Sequence, residues 1–205
     1  MKFTLSWLKN HISLDSDINT LADELTSLGL EVENIYDRSK EIADFKVGFV
    51  KECTQHNNAD KLKVCIVDTG KDIHQVICGA KNVRENLKVV FASPGICIPN
   101  TGQIIKSAKI RGEQSDGMLC SEYELAISDE HEGIIELPDE AIIGDQISSY
   151  LGLDDPIIEI AITPNRQDCL GINGIARDLA AKGLGSLIVK ETKSFQAAFK
   201  SPKKI

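Results

Sequence analysis

The chain has 205 residues, of which 42% are hydrophobic and 26% are charged. This composition is ordinary for a water-soluble globular protein of one or two domains, and no apolar run approaches the ~20 residues that a membrane-spanning helix needs. The net charge of −8 is unevenly distributed, because residues 46–111 carry +6 and residues 112–159 carry −14. A local excess of cations suits a phosphate-binding surface. Taken alone, however, this charge pattern favours the simpler interpretation that the cations lie on solvent-exposed faces of strands.

The first 40 residues predict a short helix followed by a longer one. The short helix begins at an N-cap, Ser6, and holds Leu8 and Ile12. We expect a side chain among residues 15–17 to cap the longer helix and Gly29 to end it in the left-handed conformation. The apolar positions of the longer helix recur every three or four residues: Ile18, Leu21, Ala22, Leu25 and Leu28.

From about Phe45 the apolar period changes to two, which is typical of β-strands. Turn residues such as Asp68-Thr69-Gly70 and Ser93-Pro94-Gly95 separate the strands. Short strands joined by turns indicate a small closed barrel or a sandwich, and periodicity does not choose between them. The predicted strands are 45–50, 62–67, 73–78, 87–92, 104–111 and 133–137.

After about residue 150 the helical period returns. We expect Asp168 to cap a helix that ends at Gly183. A helical start, a β middle and a helical end predict an α+β, mainly β fold in which a barrel is inserted into a small split helical domain. The predicted domains are 1–38 plus 151–190 as a split α/β-helical domain with one core, 39–150 for the barrel, and 191–205 for a linker or the start of a further domain.

The six cysteines occur singly, without a Cys-x-x-Cys pair. We therefore expect free thiols and a cytoplasmic location. The polar stretch close to the first residue also indicates that this segment is not a signal peptide. Cys53 and His56 have a zinc-like spacing, but no second ligand pair accompanies them, so no metal site is expected. The sequence contains no phosphate-binding glycine loop and no nucleophile–base pattern, so no catalytic residue is predicted.

Four segments, taken in order and at their spacing, resemble a known domain. It is the tRNA-binding domain of bacterial phenylalanyl-tRNA synthetase β chains, of bacterial methionyl-tRNA synthetase C-terminal domains and of free-standing tRNA chaperones. The segments are Asn58-Ala59-Asp60-Lys61-Leu62-Lys63-Val64, Ile77-Cys78-Gly79-Ala80-Lys81-Asn82-Val83, residues 109–121 and Gly133-Ile134-Ile135-Glu136-Leu137-Pro138.

The flanking segments narrow the resemblance to the first part of the bacterial-type phenylalanyl-tRNA synthetase β chain. They are Trp7-Leu8-Lys9, Ser27-Leu28-Gly29-Leu30-Glu31-Val32-Glu33 and residues 162–170, which include Pro164-Asn165-Arg166. The chain departs from the family at Asn57, where proline is usual, and the loss of that rigid residue loosens the loop slightly. We interpret Arg166 as a structural residue that pairs with carboxylates of the first half of the split domain.

The resemblance implies a five-stranded OB-fold barrel with a C-terminal extension. It also implies a longer β chain that supports ATP-dependent charging of tRNA(Phe) with phenylalanine. In this family the synthetase α subunit carries out the aminoacylation within an α2β2 heterotetramer, using ATP and Mg²⁺. For this stretch the resemblance implies tRNA as a partner, no cofactor, no membrane and no DNA.

The resemblance also implies which side chains face RNA in the groove of the barrel. The basic ones neutralise phosphates, Asn82 and Ser115 make short polar contacts, and Met118 packs on a base or ribose unless it belongs to the core. Lys63 is interpreted as a solvated lysine on a strand face. The candidate RNA-binding residues are Lys61, Lys81, Asn82, Lys109, Arg111, Ser115 and Met118.

Two alternatives to a tRNA-binding region remain open. The chain could serve as a structural docking module that holds the β chain against the α subunit or against other β domains, or it could be a free-standing tRNA chaperone. Few aromatic residues lie in or beside the barrel, so we expect weak and strongly salt-dependent RNA binding, which the acidic residues after Gly112 weaken further.

Overall fold

A computed structural model describes residues 1–189 of the chain. The contacts divide it into two compact units. Of the described residues, unit 1 comprises Met1–Ile35 and 157–189, and unit 2 comprises Tyr36–Pro156. The chain therefore leaves unit 1, builds unit 2 and returns. The stretch 191–205, predicted to be a linker or the start of a further domain, lies outside the described residues.

The helices and strands are short throughout the described part of the chain, and no helix in it is long and apolar enough to cross a membrane. In chain order the elements are β1 (Lys2–Thr4), α1 (Leu5–Lys9), β2 (Ile12–Leu14), α2 (Ile18–Ser27), β3 (Val32–Tyr36), α3 (Arg38–Glu41), β4 (Lys46–Gln55), β5 (Lys63–Asp68), β6 (Ile73–Cys78), β7 (Lys88–Ala92), β8 (Ala108–Ile110), β9 (Glu113–Ser115), β10 (Met118–Leu119), β11 (Ile157–Ile160), a 3₁₀ turn (Gln167–Leu170), α4 (Ile172–Ala181) and β12 (Gly185–Leu187).

Helix α2 confirms the prediction made from its apolar spacing. The Asp17 carboxylate caps it by accepting hydrogen bonds from the backbone N–H groups of Asn19 (2.9 Å) and Thr20 (3.1 Å). Gly29 ends it with φ +80°. These bonds satisfy amide groups that the first turn of a helix leaves unpaired.

The short helix α1 differs from its prediction. Its N-cap is Thr4, whose hydroxyl accepts the Trp7 N–H at 3.2 Å, and not Ser6. Ile12 lies in strand β2 and not in the helix. Both Thr and Ser are good caps, so residue type did not distinguish them.

Unit 1 is not purely helical, because five segments in its described part form strands. Strands β1, β11 and β3 make one sheet in that order, and β2 pairs with β12. Strands of three to five residues are too short to show a period of two, which explains why the sequence located helices but no strand here. The buried core of unit 1 consists of Phe3, Leu8, Ile12, Leu21, Leu25, Leu30, Ile158, Ile160, Cys169, Ile172, Ile175, Ala176 and Leu179.

Helix α4 is not capped by Asp168 as predicted. Its N-cap is Gly171, which provides no side-chain hydrogen bond, and Asp168 belongs to the preceding 3₁₀ turn. That turn packs tightly on α4, because a Cβ on Gly174 would lie 2.0 Å from the Asp168 carbonyl oxygen. The close approach requires glycine at this position.

Arg166 is a structural residue, as interpreted, but its carboxylate partners were wrongly placed. It pairs with Asp168 and Asp178, which follow it in the chain. Its link to the first segment of unit 1 is a hydrogen bond from Nη1 to the Leu28 carbonyl oxygen at 3.2 Å. The guanidinium therefore joins the end of α2 to the turn before α4.

Unit 2 is built on a five-stranded antiparallel sheet with the order β10-β7-β4-β5-β6. The first half of β4 pairs with β7 and the second half with β5, and the register shifts between Val50 and Glu52. Because β10 also lies against β6, the sheet curls into a nearly closed barrel that is consistent with an OB-like fold.

The segments 104–111 and 133–137 were predicted as full strands and are not. The first contributes only β8, which pairs with β9 as a two-stranded hairpin. The second runs beside β7 with a single bridge, Val89 to Glu136. Its apolar residues are nevertheless buried, because the segment after β10 packs on the barrel. The segment after β10 contributes six residues to a buried core of unit 2: Cys120, Leu125, Ile135, Leu137, Ala141 and Ile147.

Gly117 sits where the chain enters β10, and no side chain fits there. Its φ is +138°, and a Cβ would lie 2.5 Å from Cε2 of Phe91, a buried core ring. We expect Gly117→Ala to lower the free energy of unfolding by about 3 kcal/mol, since backbone strain adds to a core clash. Urea unfolding followed by circular dichroism measures this change.

Gly95→Ala is the matched control. Gly95 also has a positive φ, +99°, but has nothing within 4 Å of its Cβ position. Only the backbone strain remains, so we expect a loss of about 1 kcal/mol. Equal losses in the two variants would contradict the packing described for Gly117.

Unit 1 is predicted to depend on pH through Asp168. Hydrogen bonds from Arg166 and then from Arg177 lower the pKa of Asp168 from 3.8 to about 2. A lowered pKa stabilises the folded state above pH ~4, and this contribution is lost as the pH falls towards 2. Between pH 4 and 2, the stability of the natural chain should therefore fall more steeply than that of Asp168→Asn in urea unfolding. Parallel curves would contradict the role of this carboxylate.

Candidate nucleic-acid interface

A buried histidine joins two surface loops at one end of the barrel. His56 is 2% exposed, and its Nδ1 accepts the Asn58 N–H at 3.0 Å. Since Nδ1 accepts, Nε2 carries the proton and donates to the Ile110 carbonyl oxygen at 3.3 Å. The loop 56–62 between β4 and β5 is thereby held against the β8–β9 hairpin.

The tip of that hairpin presents Arg111. Arg111 and Gly112 have φ values of +52° and +103°, as a two-residue turn between antiparallel strands requires. Arg111 and Lys109 are both exposed, and so is Lys61 on the neighbouring loop 56–62. The histidine contact therefore brings three candidate cations to one end of the barrel.

A groove of about 410 Å³ lies beside Lys61. Lys63 is not the freely solvated lysine that was predicted, because its Nζ donates to the Val83 carbonyl oxygen at 2.6 Å. The ammonium thus forms part of the groove wall in a fixed position. The lining residues are Gln55, Asp60, Lys61, Lys63, Gly79, Ala80 and Lys81.

Lys81 reaches the groove but is paired with an acid. Its Nζ lies 2.9 Å from Oε2 of Glu132, with both side chains largely exposed. The hydrogen bond raises the pKa of Lys81 and lowers the pKa of Glu132. Arg84, two residues after Asn82 in the chain, is paired in the same way, with its Nη2 2.9 Å from Oε2 of Glu136.

Asn82 is bound on both sides of its amide by its own chain. Its Nδ2 donates to the Ile134 carbonyl oxygen (2.9 Å) and to Glu136 (3.0 Å), and its Oδ1 accepts the Ile134 N–H at 2.9 Å. Asn82 therefore fixes the segment after Gly133 to the barrel. A direct contact of this amide with RNA stays a prediction.

Ser115 lies inside the barrel wall and not on a surface. It is 4% exposed, and its hydroxyl accepts the Ile77 N–H at 3.1 Å and donates to the Gly117 carbonyl oxygen at 3.3 Å. These bonds attach β9 to the edge of β6. The hydroxyl is positioned to support the hairpin, which the sequence did not show.

Met118 is half-buried at the edge of the core. It lines a second groove of about 230 Å³, which shares Gly79 and Ala80 with the first and includes Glu132. The two grooves therefore lie on either side of the segment that leads to Lys81. This placement is compatible with both interpretations of Met118, core and contact.

The described residues contain one group of side chains with the composition of a metal site. Asp168, Cys169 and Asp178 have ligand atoms within 4.8 Å of one another. However, Arg166 donates to all three side chains, including a 2.8 Å contact with Cys169 Sγ. A guanidinium already neutralises the group, so it does not fit a cation.

Sequence reasoning missed two features of the interface. The first is His56, which was considered only as a metal ligand, although a buried histidine in a turn can also join loops. The second is the pairing of Lys81 and Arg84 with acids more than 50 residues away. The acidic composition of residues 112–159 was the available signal, but it did not indicate which cations it neutralises.

Comparisons with known proteins identify the domain that carries these residues. Residues 45–146 match the family model described as "Putative tRNA binding domain". A solved MetRS related protein from Pyrococcus horikoshii is 24% identical over 50% of this chain and 86% of that chain, but its TM-score of 0.38 supports no structural argument. The barrel with its cationic loops is thus a tRNA-binding domain.

The relatives extend the match to the full chain. The phenylalanine–tRNA ligase beta subunit of Rickettsia prowazekii (strain Madrid E) is 50% identical over all 205 residues, which cover 25% of that protein. The subunit of Rhodospirillum rubrum is 50% identical over 98% of the chain, again covering 25% of that protein. The chain belongs to the phenylalanine–tRNA ligase β-subunit family and spans about a quarter of the length of these relatives.

The acid paired with Lys81 is expected to weaken RNA binding. Replacing Glu132 by Gln removes a negative charge and frees the ammonium, and an exposed ion pair of this kind contributes up to ~1 kcal/mol. We expect Glu132→Gln to raise tRNA affinity by roughly two- to fivefold at low salt, measured by filter binding.

Glu140→Gln provides the control, because it makes the same charge change at an exposed acid outside the two grooves. The gain should also disappear in the Glu132→Gln, Lys81→Ala double variant, since the freed cation is then missing. A gain of equal size with Glu140→Gln would assign the effect to net charge alone.

Proposed function

We propose that unit 2 holds the sugar–phosphate backbone of tRNA against the cationic end of the barrel. Lys61, Lys109 and Arg111 supply the charges, and Lys81 joins them when RNA displaces Glu132. The observation that carries this proposal is the contact from His56 to Ile110, because it brings the two basic loops together. Phosphate contacts of this type are independent of base sequence.

The role of Arg111 follows from its place in the turn. A guanidinium can give two parallel hydrogen bonds to one phosphate, and a tight turn holds the backbone that carries it. Asn82 and Ser115 act by supporting the surface, through the hydrogen bonds to Ile134 and Ile77. The predicted RNA contacts of Asn82 and Met118 belong to the same proposal, whereas the buried Ser115 hydroxyl supports the surface from within the barrel wall.

In the longer protein, we propose that this region supports ATP-dependent charging of tRNA(Phe) with phenylalanine by an α2β2 enzyme in the cytoplasm. ATP and Mg²⁺ belong to the whole enzyme, and the residues of this chain take no part in bond making. We also propose that the predicted divisions, 1–38 with 151–190 and 39–150, act as separate domains there. The names of the relatives and the match to the tRNA-binding family support this role.

The docking alternative has one observation in its favour. Part of the cationic surface is already neutralised within the chain, by Glu132 and Glu136, and residues 112–159 contain no lysine or arginine. An acidic surface of this kind suits a basic protein partner. Undiminished tRNA charging by the full enzyme after deletion of residues 40–150 would favour docking over RNA binding.

The test is replacement of Lys61 and Arg111 together by alanine. We expect tRNA affinity at low salt to fall by at least tenfold and the slope of log affinity against log salt to decrease by about 1.4–1.8, because two phosphate contacts are lost. Fluorescence anisotropy with labelled tRNA at several salt concentrations measures both quantities.

The matched control removes two cations at the other end of the strands. Lys51 pairs with Asp68 beside the turn 69–72, and Lys71 lies in that turn. Strand β5 has six residues, which separates this turn from the loop 56–62 by about 20 Å. Equal loss in the Lys51→Ala, Lys71→Ala variant, or no loss in the test variant, would reject the proposed surface.

A further inference from the structure

Two cysteines face each other across neighbouring strands of the barrel. Cys53 of β4 and Cys65 of β5 are register partners. The pair His56 and Leu62, three positions along, is hydrogen-bonded, and hydrogen-bonded and non-hydrogen-bonded pairs alternate along an antiparallel ladder. Cys53 and Cys65 therefore form a non-hydrogen-bonded pair. In agreement, the Cys53 N–H donates to the Glu85 carboxylate at 3.3 Å instead of to β5.

This pairing places the two thiols close enough to become bonded. Their Sγ atoms are 3.7 Å apart. A non-hydrogen-bonded pair has Cα atoms about 4.5 Å apart, which lies within the 4.4–6.8 Å range found for disulfides. Rotation about the Cα–Cβ bonds brings the sulfurs together without a change of strand register.

The two thiols differ in access, which sets the order of reaction. Cys65 is fully buried and Cys53 is half-buried. Burial, followed by the neighbouring Cys53, raises the pKa of Cys65, so this thiol stays protonated at neutral pH. Cys53 is therefore the thiol that a dissolved oxidant meets first.

Charged groups flank Cys53 on both sides. The Lys63 ammonium and the Cys53 thiol share one acceptor, the Val83 carbonyl oxygen, at 2.6 and 3.8 Å. The Glu85 carboxylate lies on the backbone side of Cys53. These contacts hold the Cys53 backbone and side chain in place opposite Cys65.

We propose that Cys53 and Cys65 are a redox modification site that forms a reversible intrachain disulfide with hydrogen peroxide. The Cys53 thiolate attacks one peroxide oxygen, the O–O bond breaks, and the leaving hydroxide takes a proton to become water. Cys65 then attacks the sulfur of the resulting sulfenic acid, loses its proton, and displaces a second water. Two thiols lose two electrons and two protons, and one peroxide becomes two waters.

The bond would close a ring from Cys53 to Cys65 that contains the loop 56–62. This loop carries Lys61 and is held by His56. Oxidation would therefore covalently join the two strands, β4 and β5, that flank this part of the cationic surface. Transient disulfides of this kind serve as redox sensors in reducing compartments. The modification does not depend on tRNA binding.

Tryptic mapping of the 205-residue chain tests the proposal, because each of the six cysteines falls in a different tryptic peptide. One equivalent of peroxide should reduce the free thiols, counted after denaturation, from six to four, and dithiothreitol should restore six. Under non-reducing conditions the peptides 52–61 and 64–71 should appear joined, with the loss of two hydrogens and with the chain monomeric on a gel.

Two variants keep the result interpretable. Cys97 is exposed, so Cys97→Ala removes an accessible thiol and should leave the joined peptides unchanged. Cys53→Ala should abolish them and leave Cys65 reduced. A dominant link to the peptide 72–81, a link between two molecules, or oxidation confined to Cys97 would overturn the proposal.

Discussion

The candidate interface depends on one buried imidazole. His56 accepts a hydrogen bond from its own loop and donates one to the β8–β9 hairpin, so two chain segments separated by about 50 residues share one end of the barrel. Without this contact, Lys61 and Arg111 would lie on independent loops, and each phosphate contact would require the ordering of its own loop. The cationic surface therefore depends on how the backbone places these side chains as well as on their charge.

The same end of the barrel also contains acids that limit its charge. Glu132 and Glu136 hold Lys81 and Arg84, so the surface visible in the free chain is less basic than the sequence of residues 46–111 suggests. Such pairs are weak when exposed and can be exchanged for phosphate contacts. RNA binding that requires this exchange is expected to be modest in strength and readily reversed.

The sequence predicted those features that depend on local pattern. The apolar spacing and the Asp17 cap identified α2, and the period of two identified the long strands β4 to β7. Strands of three to five residues in unit 1 were missed because a helix and a short strand have similar patterns over so few positions. The roles of His56, Asn82 and Ser115 were missed for another reason, since each is set by partners distant in sequence and composition does not reveal such partners.

The interruption of unit 1 has a consequence for the order in which the chain folds. Strand β1 pairs with β11, Phe3 opposite Ile158, so its partner leaves the ribosome after some 150 further residues have been made. At 5–20 residues per second this delay is roughly 8–30 s. During that time the apolar side chains of α1 and α2 lack half of their core, whereas the barrel can complete its own. The apolar side chains of α1 and α2 are therefore exposed during that interval, and exposed apolar surface is what nascent-chain chaperones bind.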